Sequence, residues 1–271
     1  MRAAKAARAS KPPRLDVWLA EQGHAESREK AQALVMAGRV RVNGEPACKP
    51  GSPVRPKDQV EVIPGPAHVG RGARKLEGAL DAFAIDPAGR TCVDVGASTG
   101  GFTEVLLRRG AARVYAVDTG RGQIHESLRK DPRVVLREQT NARRLSKGVV
   151  PEPCGLAVMD VSFISAIKVL PALVSVLAPG ADVVVLVKPQ FEVGRAEVGR
   201  GGLVKDKALH ERALGDVARA AQDEMGYGVL GACPSPITGS EGNREFFLHL
   251  RPGARALEPP ALAALVGRVT C

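Results

Sequence analysis

Four charged residues stand where apolar, strand-like runs come to an end: Asp94 in Cys92-Val93-Asp94-Val95, Asp118 after Val114-Tyr115-Ala116-Val117, Asp160 after Leu156-Ala157-Val158-Met159, and Lys188 after residues 183–187. A charge placed directly after a buried run is costly unless it serves a site or simply surfaces where the strand stops. Singly, either explanation holds. Together, Asp160 and Lys188 on neighbouring strands beside a glycine turn favour a site, because in an open parallel sheet ligands sit beyond the carboxyl ends of the strands.

The glycine turn lies between the first two of these runs. Gly96, Gly100 and Gly101 follow the first strand, and Phe102, Val105 and Leu106 then recur at helical spacing up to Gly110. This is one β-α-β unit whose turn lets a ligand approach the backbone and whose helix amino end offers free N–H groups. Asp118, closing the second strand, can accept both hydroxyls of an adenosine ribose. The dinucleotide pattern G-x-G-x-x-G is not met, because its middle glycine is Ser98. A pyrophosphate would be poorly served there. S-adenosylmethionine (SAM), which carries adenosine without phosphate, fits better than NAD, and NAD stays open on this stretch alone.

The elements that must hold these residues alternate. Strands are expected near 134–136, 156–159, 183–187, 227–230 and 246–250, with helices over 164–177 and 209–225 and a helix opening at Lys75. Strand–helix alternation of this kind means an α/β fold with a mostly parallel sheet of seven strands covered on both faces. Ahead of it lies different text. Leu15, Trp18 and Leu19 form one apolar helix face, Ser27 is placed to cap a second helix ended by Gly38, and Arg39-Val40-Arg41-Val42 alternates into an Asn43-Gly44 turn. The organisation read from this is a basic tail (1–13), a small α+β module (14–63), a linker rich in Pro and Gly (64–74), an α/β domain (75–255) and a C-terminal tail (256–271).

The 271 residues carry a formal net charge of +10, which points to a polyanion, nucleic acid first. Residues 14–63 hold eight Lys/Arg against seven Asp/Glu, so binding there depends on segregating charge to one face. Five scattered cysteines without a C-x-x-C pair read as reduced thiols, and no metal site is expected. No signal peptide is expected, since residues 1–13 are basic without an apolar core behind them, and no apolar run is long enough to span a bilayer; a cytoplasmic protein without membrane contact is expected. One Trp, two Tyr and six Phe leave little for base stacking, so affinity for RNA should come from charge and shape. Phe163, beside Asp160, could stack on an extruded base but reads first as a core residue.

Two resemblances gather these observations. The spacing S-R-x-x-A-x-x-L-V-x-x-G-x-V-x-V-N-G resembles the S4 RNA-binding module, which implies that Arg14, Arg28, Lys30, Arg39 and Arg41 lie on RNA. The motifs RGARKLEGAL, DVGASTGGFTEVLL, MDVSFIS, VKPQFEVG and EGNREFFL, in this order after such a module, resemble the TlyA (hemolysin A) family of FtsJ-like ribosomal RNA methyltransferases. The resemblance implies a Rossmann-like class I methyltransferase that moves a methyl group from SAM to a ribose 2′-hydroxyl, in that family a cytidine. It implies a tetrad of Lys75, Asp160, Lys188 and Glu245, with Glu245 rather than Glu241 matching the family's glutamate. Lys188 would be base or proton relay, Asp160 would orient it, and Lys75 and Glu245 would position the ribose. Burial and a second cation can tune such a lysine toward the neutral amine that accepts a proton. Gly96, Ser98, Thr99 and Gly100 would wrap the methionine end of SAM with Asp94 nearby, Asp118 would take the ribose hydroxyls, and Asn141 the adenine edge. Ribosomal RNA or ribosomal subunits are the expected partner of a monomer. The competing reading is an inactive RNA-binding assembly factor on the same fold.

Overall fold

The computed structural model describes residues 11–63, 68–239 and 241–271, and these divide into two compact units, one before residue 68 and one from it onward. Most of the expected basic tail, and residues 64–67 of the expected linker, lie outside the described residues.

The first unit comprises α1 (Leu15–Glu21), α2 (Arg28–Met36) and a three-stranded antiparallel sheet of β1 (Val40–Val42), β2 (Glu45–Pro46) and β3 (Val60–Val62), in the order β2-β1-β3. Ser27 caps α2 by accepting the Lys30 N–H, and Asn43 turns with φ +55° between β1 and β2. Leu15, Leu19, Ala31, Val35, Val40 and Val54 form its small core.

The second unit runs α3 (Gly72–Ala82), β4 (Thr91–Val95), α4 (Gly101–Arg108), β5 (Arg113–Val117), α5 (Glu126–Arg129), β6 (Val134–Arg137), β7 (Cys154–Met159), α6 (Leu170–Leu173), β8 (Leu177–Val187), α7 (Pro189–Glu192), α8 (Lys207–Asp223), β9 (Tyr227–Pro234), β10 (Phe246–Pro252) and α9 (Pro259–Thr270). The seven strands order as β6-β5-β4-β7-β8-β10-β9, with β10 antiparallel to both neighbours and the ladders from β6 to β8 parallel. The expected mostly parallel sheet is therefore present. Alternation along the strands feeds two cores: Val93, Val95 and Val117 face one side, and Cys92, Val114 and Ala116 the other. In the central strand β8 residues 183–187 are all at most 1% exposed, each such side chain contributing about 1.5–3 kcal/mol by burial.

Three boundaries differ from the sequence reading. Helix α3 begins at Gly72, not Lys75, and the Val69 N–H bonds the Glu104 carboxylate at 2.8 Å, so residues 68–74 are folded into the second unit and are not free linker. The stretch expected as one helix over 164–177 is two 3-10 turns around the four-residue α6. The last residues are no tail: α9 buries Leu262, Val266 and Thr270, one face at i, i+4 and i+8, against α8 and β9.

Candidate active site

The strand order reverses between β4 and β7, and the carboxyl ends of these strands part to open a cavity of about 360 Å³. Gly96 (φ +88°) lies so close to β7 that an added Cβ would run into the Asp160 carbonyl, which accounts for glycine there. Gly96, Ser98, Asp118, Asn141 and Asp160 line the cavity. Asp118 accepts the Ser98 N–H at 2.8 Å and the Gly120 N–H at 2.7 Å, so its carboxylate is locked between the glycine turn and the loop after β5. The Asn141 side-chain oxygen accepts the Arg143 N–H at 3.0 Å, and its NH₂ brings two donors. Two carboxylates and no Lys or Arg line this cavity among the described residues.

Three expected cofactor residues stand elsewhere. Asp94 lines no part of the cavity, because strand alternation turns it to the α4 side, where it is fully buried and accepts the Thr103 hydroxyl at 2.7 Å. Its other oxygen has no hydrogen-bond partner, and burial pushes the carboxyl up to about 7, against the Thr103 bond and with the help of Asp160 and Asp118. Gly100 (φ +98°) is the N-cap of α4, where a side chain would run into Ile124 and Leu128. Thr99 is exposed beside Gly70, outside the cavity lining.

A second cavity of about 250 Å³ adjoins the first, sharing Ser162 and Phe163 with it. It is lined by Lys75 from α3, Lys188 from the end of β8 and Glu245 from the start of β10, with Arg71, Gln190 and Glu241 at its walls. Lys75 Nζ donates to Glu245 Oε2 at 2.6 Å, both groups nearly buried. Lys188 pairs with Asp160 and donates to Ser162 Oγ at 2.9 Å. The four residues expected to act together thus form two lysine–carboxylate pairs. Asp160 reaches the first cavity, and Lys75, Lys188 and Glu245 the second.

Phe163 is not a core residue. It is 90% exposed with φ +62°, and its ring stands 5.2 Å from that of Phe191 at the mouth of the second cavity. Beyond the two rings runs a groove of about 740 Å³ that also carries Arg143, Lys168 and Arg195 and no acid among the described residues. Residue type could not announce an exposed phenylalanine, and nothing in the spacing marked Ser162, Gln190 or these three cations.

In the first unit, Arg14 and Arg28 converge on the fully buried Asp16: Arg14 Nε and Nη2 at 3.0 Å, Arg28 Nε at 3.0 Å, with the Gln32 amide at 2.7 Å. The Arg14 bonds foremost hold the Asp16 carboxyl far below the usual range. Both arginine side chains remain about half exposed. Lys30 pairs with Glu26, Arg39 caps the Ile63 carbonyl through two bonds of 3.1 Å, and Arg41 is exposed on β1.

A cavity at the switch point of a sheet with one reversed strand, next to a lysine–carboxylate cluster, is the arrangement of a class I methyltransferase. Residues 68–252 match the FtsJ-like methyltransferase family and residues 13–60 the S4 domain, and the chain belongs to the S4-bearing TlyA branch of the FtsJ-like methyltransferases. It is 51% identical over 258 residues to the 16S/23S rRNA (cytidine-2′-O)-methyltransferase TlyA of Mycobacterium tuberculosis, covering 94% of this chain and 96% of that one. It is 39% identical to Hemolysin A of Brachyspira hyodysenteriae, covering 87% and 98%. The solved structure of a hemolysin candidate from Streptococcus thermophilus superposes with a TM-score of 0.70 at 39% identity, covering 96% of each chain. Among the described residues no helix is long and apolar enough to cross a membrane.

Proposed function

We propose that this enzyme, acting in the cytoplasm as a monomer, transfers the methyl group of SAM to the 2′-hydroxyl of a cytidine in ribosomal RNA. The observation that carries the reading is the pair of ion pairs, Lys188–Asp160 and Lys75–Glu245, around a cavity that adjoins the nucleoside cavity. The nucleoside cavity suits SAM rather than a dinucleotide: two carboxylates without a cation attract a sulfonium and repel a pyrophosphate. Bound there, SAM supplies an electrophilic methyl group. Asp118 would take the ribose hydroxyls, the Asn141 NH₂ would donate to the adenine edge, and Gly96 and Ser98 would wrap the methionine end.

A ribose 2′-hydroxyl is a weak acid whose proton must leave as its oxygen attacks. Lys188, oriented by Asp160 and by the Ser162 hydroxyl, relays that proton, passing one of its own to the Asp160 carboxylate as it accepts the hydroxyl's. Lys75, held by Glu245, donates to the ribose from the opposite wall and fixes the oxygen in line with the methyl group. The exposed Phe163 ring gives an extruded base a face to stack on, and Arg143, Lys168 and Arg195 line a path for the flanking phosphates. In the S4 unit, Arg14 and Arg28, aligned by Asp16, and the exposed Arg41 supply further phosphate contacts, with Lys30 and Arg39 beside them.

Tritium transfer from labelled SAM into ribosomal subunits and bare ribosomal RNA tests this, with Lys188→Ala as control. Ribose-borne label that disappears in the variant, with SAM still bound, is the expected result. SAM and RNA binding without any label would turn the reading to a non-catalytic assembly factor.

A further inference from the structure

Two loops bring the chemistry together, and they come from adjacent strands. The loop after β7 carries Asp160, Ser162 and Phe163; the segment after β8 carries Lys188, Gln190 and Phe191. The contacts from Lys188 to Asp160 and Ser162, and the Phe163–Phe191 ring contact, all cross from one loop to the other. These contacts hold the loop only as far as Phe163 and leave its far end, from residue 164 on, to other partners. That loop moreover passes through Phe163 with φ +62°, a left-handed backbone that an aromatic residue adopts rarely and keeps only where its surroundings over-determine it.

What over-determines it is Glu192, the last residue of α7. Its Oε2 accepts the Ser165 hydroxyl at 2.6 Å and its Oε1 accepts the Ala166 N–H at 2.8 Å. Ser165 in turn caps the following 3-10 turn by accepting the Ile167 N–H at 3.2 Å. One carboxylate thus holds the far end of the β7 loop, two residues past Phe163, and ties it to the short helix that begins directly after Lys188. Glu192 lines neither cavity.

We propose that Glu192 is a positioning residue for methyl transfer: by clamping residues 165 and 166 to α7 it sets Asp160 and Ser162 against Lys188 and holds the Phe163 ring out at the cavity mouth. The role rests on the methyl-transfer reading above. Its chemistry is that of a double acceptor, so an amide can replace it: a glutamine can accept the Ala166 N–H through its oxygen and donate to Ser165 Oγ through its nitrogen.

The test uses the full-length protein, tritiated SAM and ribosomal subunits. Glu192→Ala is expected to lower kcat about 30-fold while the dissociation constant for SAM changes less than about threefold. Glu192→Gln is expected to stay within about threefold of wild type in kcat. Because the clamp acts through the loop, the double variant E192A/F163A should turn over no more than about threefold more slowly than the worse single variant. Wild-type turnover by E192A would overturn the proposal. So would an E192Q loss equal to that of E192A, or losses that multiply in the double variant. Should E192A not fold, Ser165→Ala removes the 2.6 Å bond alone and is expected to lower kcat about fivefold, and its turning over at the wild-type rate would overturn the clamp. No label with wild-type protein would sink the methyl-transfer reading and the clamp with it; equal label with wild type and E192A would sink the clamp alone.

Discussion

The two units each bury an aspartate completely, and they treat it in opposite ways. In the S4 unit, Asp16 is surrounded by donors: two guanidinium groups, a glutamine amide and the Val17 N–H. In the methyltransferase unit, Asp94 has one hydroxyl on one oxygen and nothing on the other. The difference teaches where each unit keeps its function. Asp16 is an organiser, and what it organises, Arg14 and Arg28, faces outward. Asp94 lies beneath a turn, Gly96 to Ser98, that lines the first cavity, and such turns are where a fold tolerates polar groups short of partners.

If that contrast is right, removing a group that faces the cavities should abolish turnover and spare the fold. Lys188→Ala is expected to lower kcat by about 10³-fold or more, the scale of a lost general base, while the midpoint of thermal unfolding moves by no more than about 2 °C. A large fall in that midpoint would place Lys188 with Asp16, among the organisers.

The second effect in size concerns pH. Asp94 sits near 3.8 unfolded and about 7 folded, so between these values the folded protein binds the proton that the unfolded chain has released. Stability of the methyltransferase unit should therefore fall as pH rises from about 4 to about 7 and level off above. Asp94→Asn should flatten that slope in thermal melts. Asp16 has the opposite sign. Its lowered carboxyl contributes stability above about pH 4 that is lost as pH falls below it. Asp16→Ala should destabilise the S4 unit by about 2–3 kcal/mol, less than a fully buried pair because both arginines are half exposed. Hydrogen exchange of residues 14–63 should report it, with SAM affinity unchanged.

Much of the sheet, and the residues that line the candidate site, could be read from the sequence because both depend on the same pattern: an apolar run interrupted by a charge. Asp118, Asp160 and Lys188 announced themselves that way, and Lys75 and Glu245 came from the family motifs. Asp94 showed the limit of the pattern, since alternation along β4 decides which face receives the side chain and turned it away from the cavity. Phe163 was illegible for a different reason. A phenylalanine's type favours burial, and only the left-handed backbone at this residue throws the ring into solvent. The start of α3 was hidden by Gly70 and Gly72, which read as linker until Val69 is seen bonded to Glu104. The pairing of Arg14 and Arg28 on Asp16 lies beyond a charge count, because eight bases against seven acids say nothing about which of them meet.

Asn141 is the intermediate case, and it carries the smallest of the expected effects. Its amide oxygen belongs to the fold, capping the 142–144 turn, and the residue also lines the first cavity. Asn141→Ala removes both roles and should weaken SAM binding about tenfold, with kcat at saturating SAM unchanged, as expected for a group that binds substrate and transition state alike. Asn141→Asp separates the two roles. Its carboxylate still accepts the Arg143 N–H, so the turn survives, but it has no N–H to give the adenine. Titration calorimetry with SAM then decides: an aspartate variant as weak as the alanine variant makes the NH₂ a ligand contact, and one that binds like wild type makes Asn141 a turn residue, an organiser in the manner of Asp16.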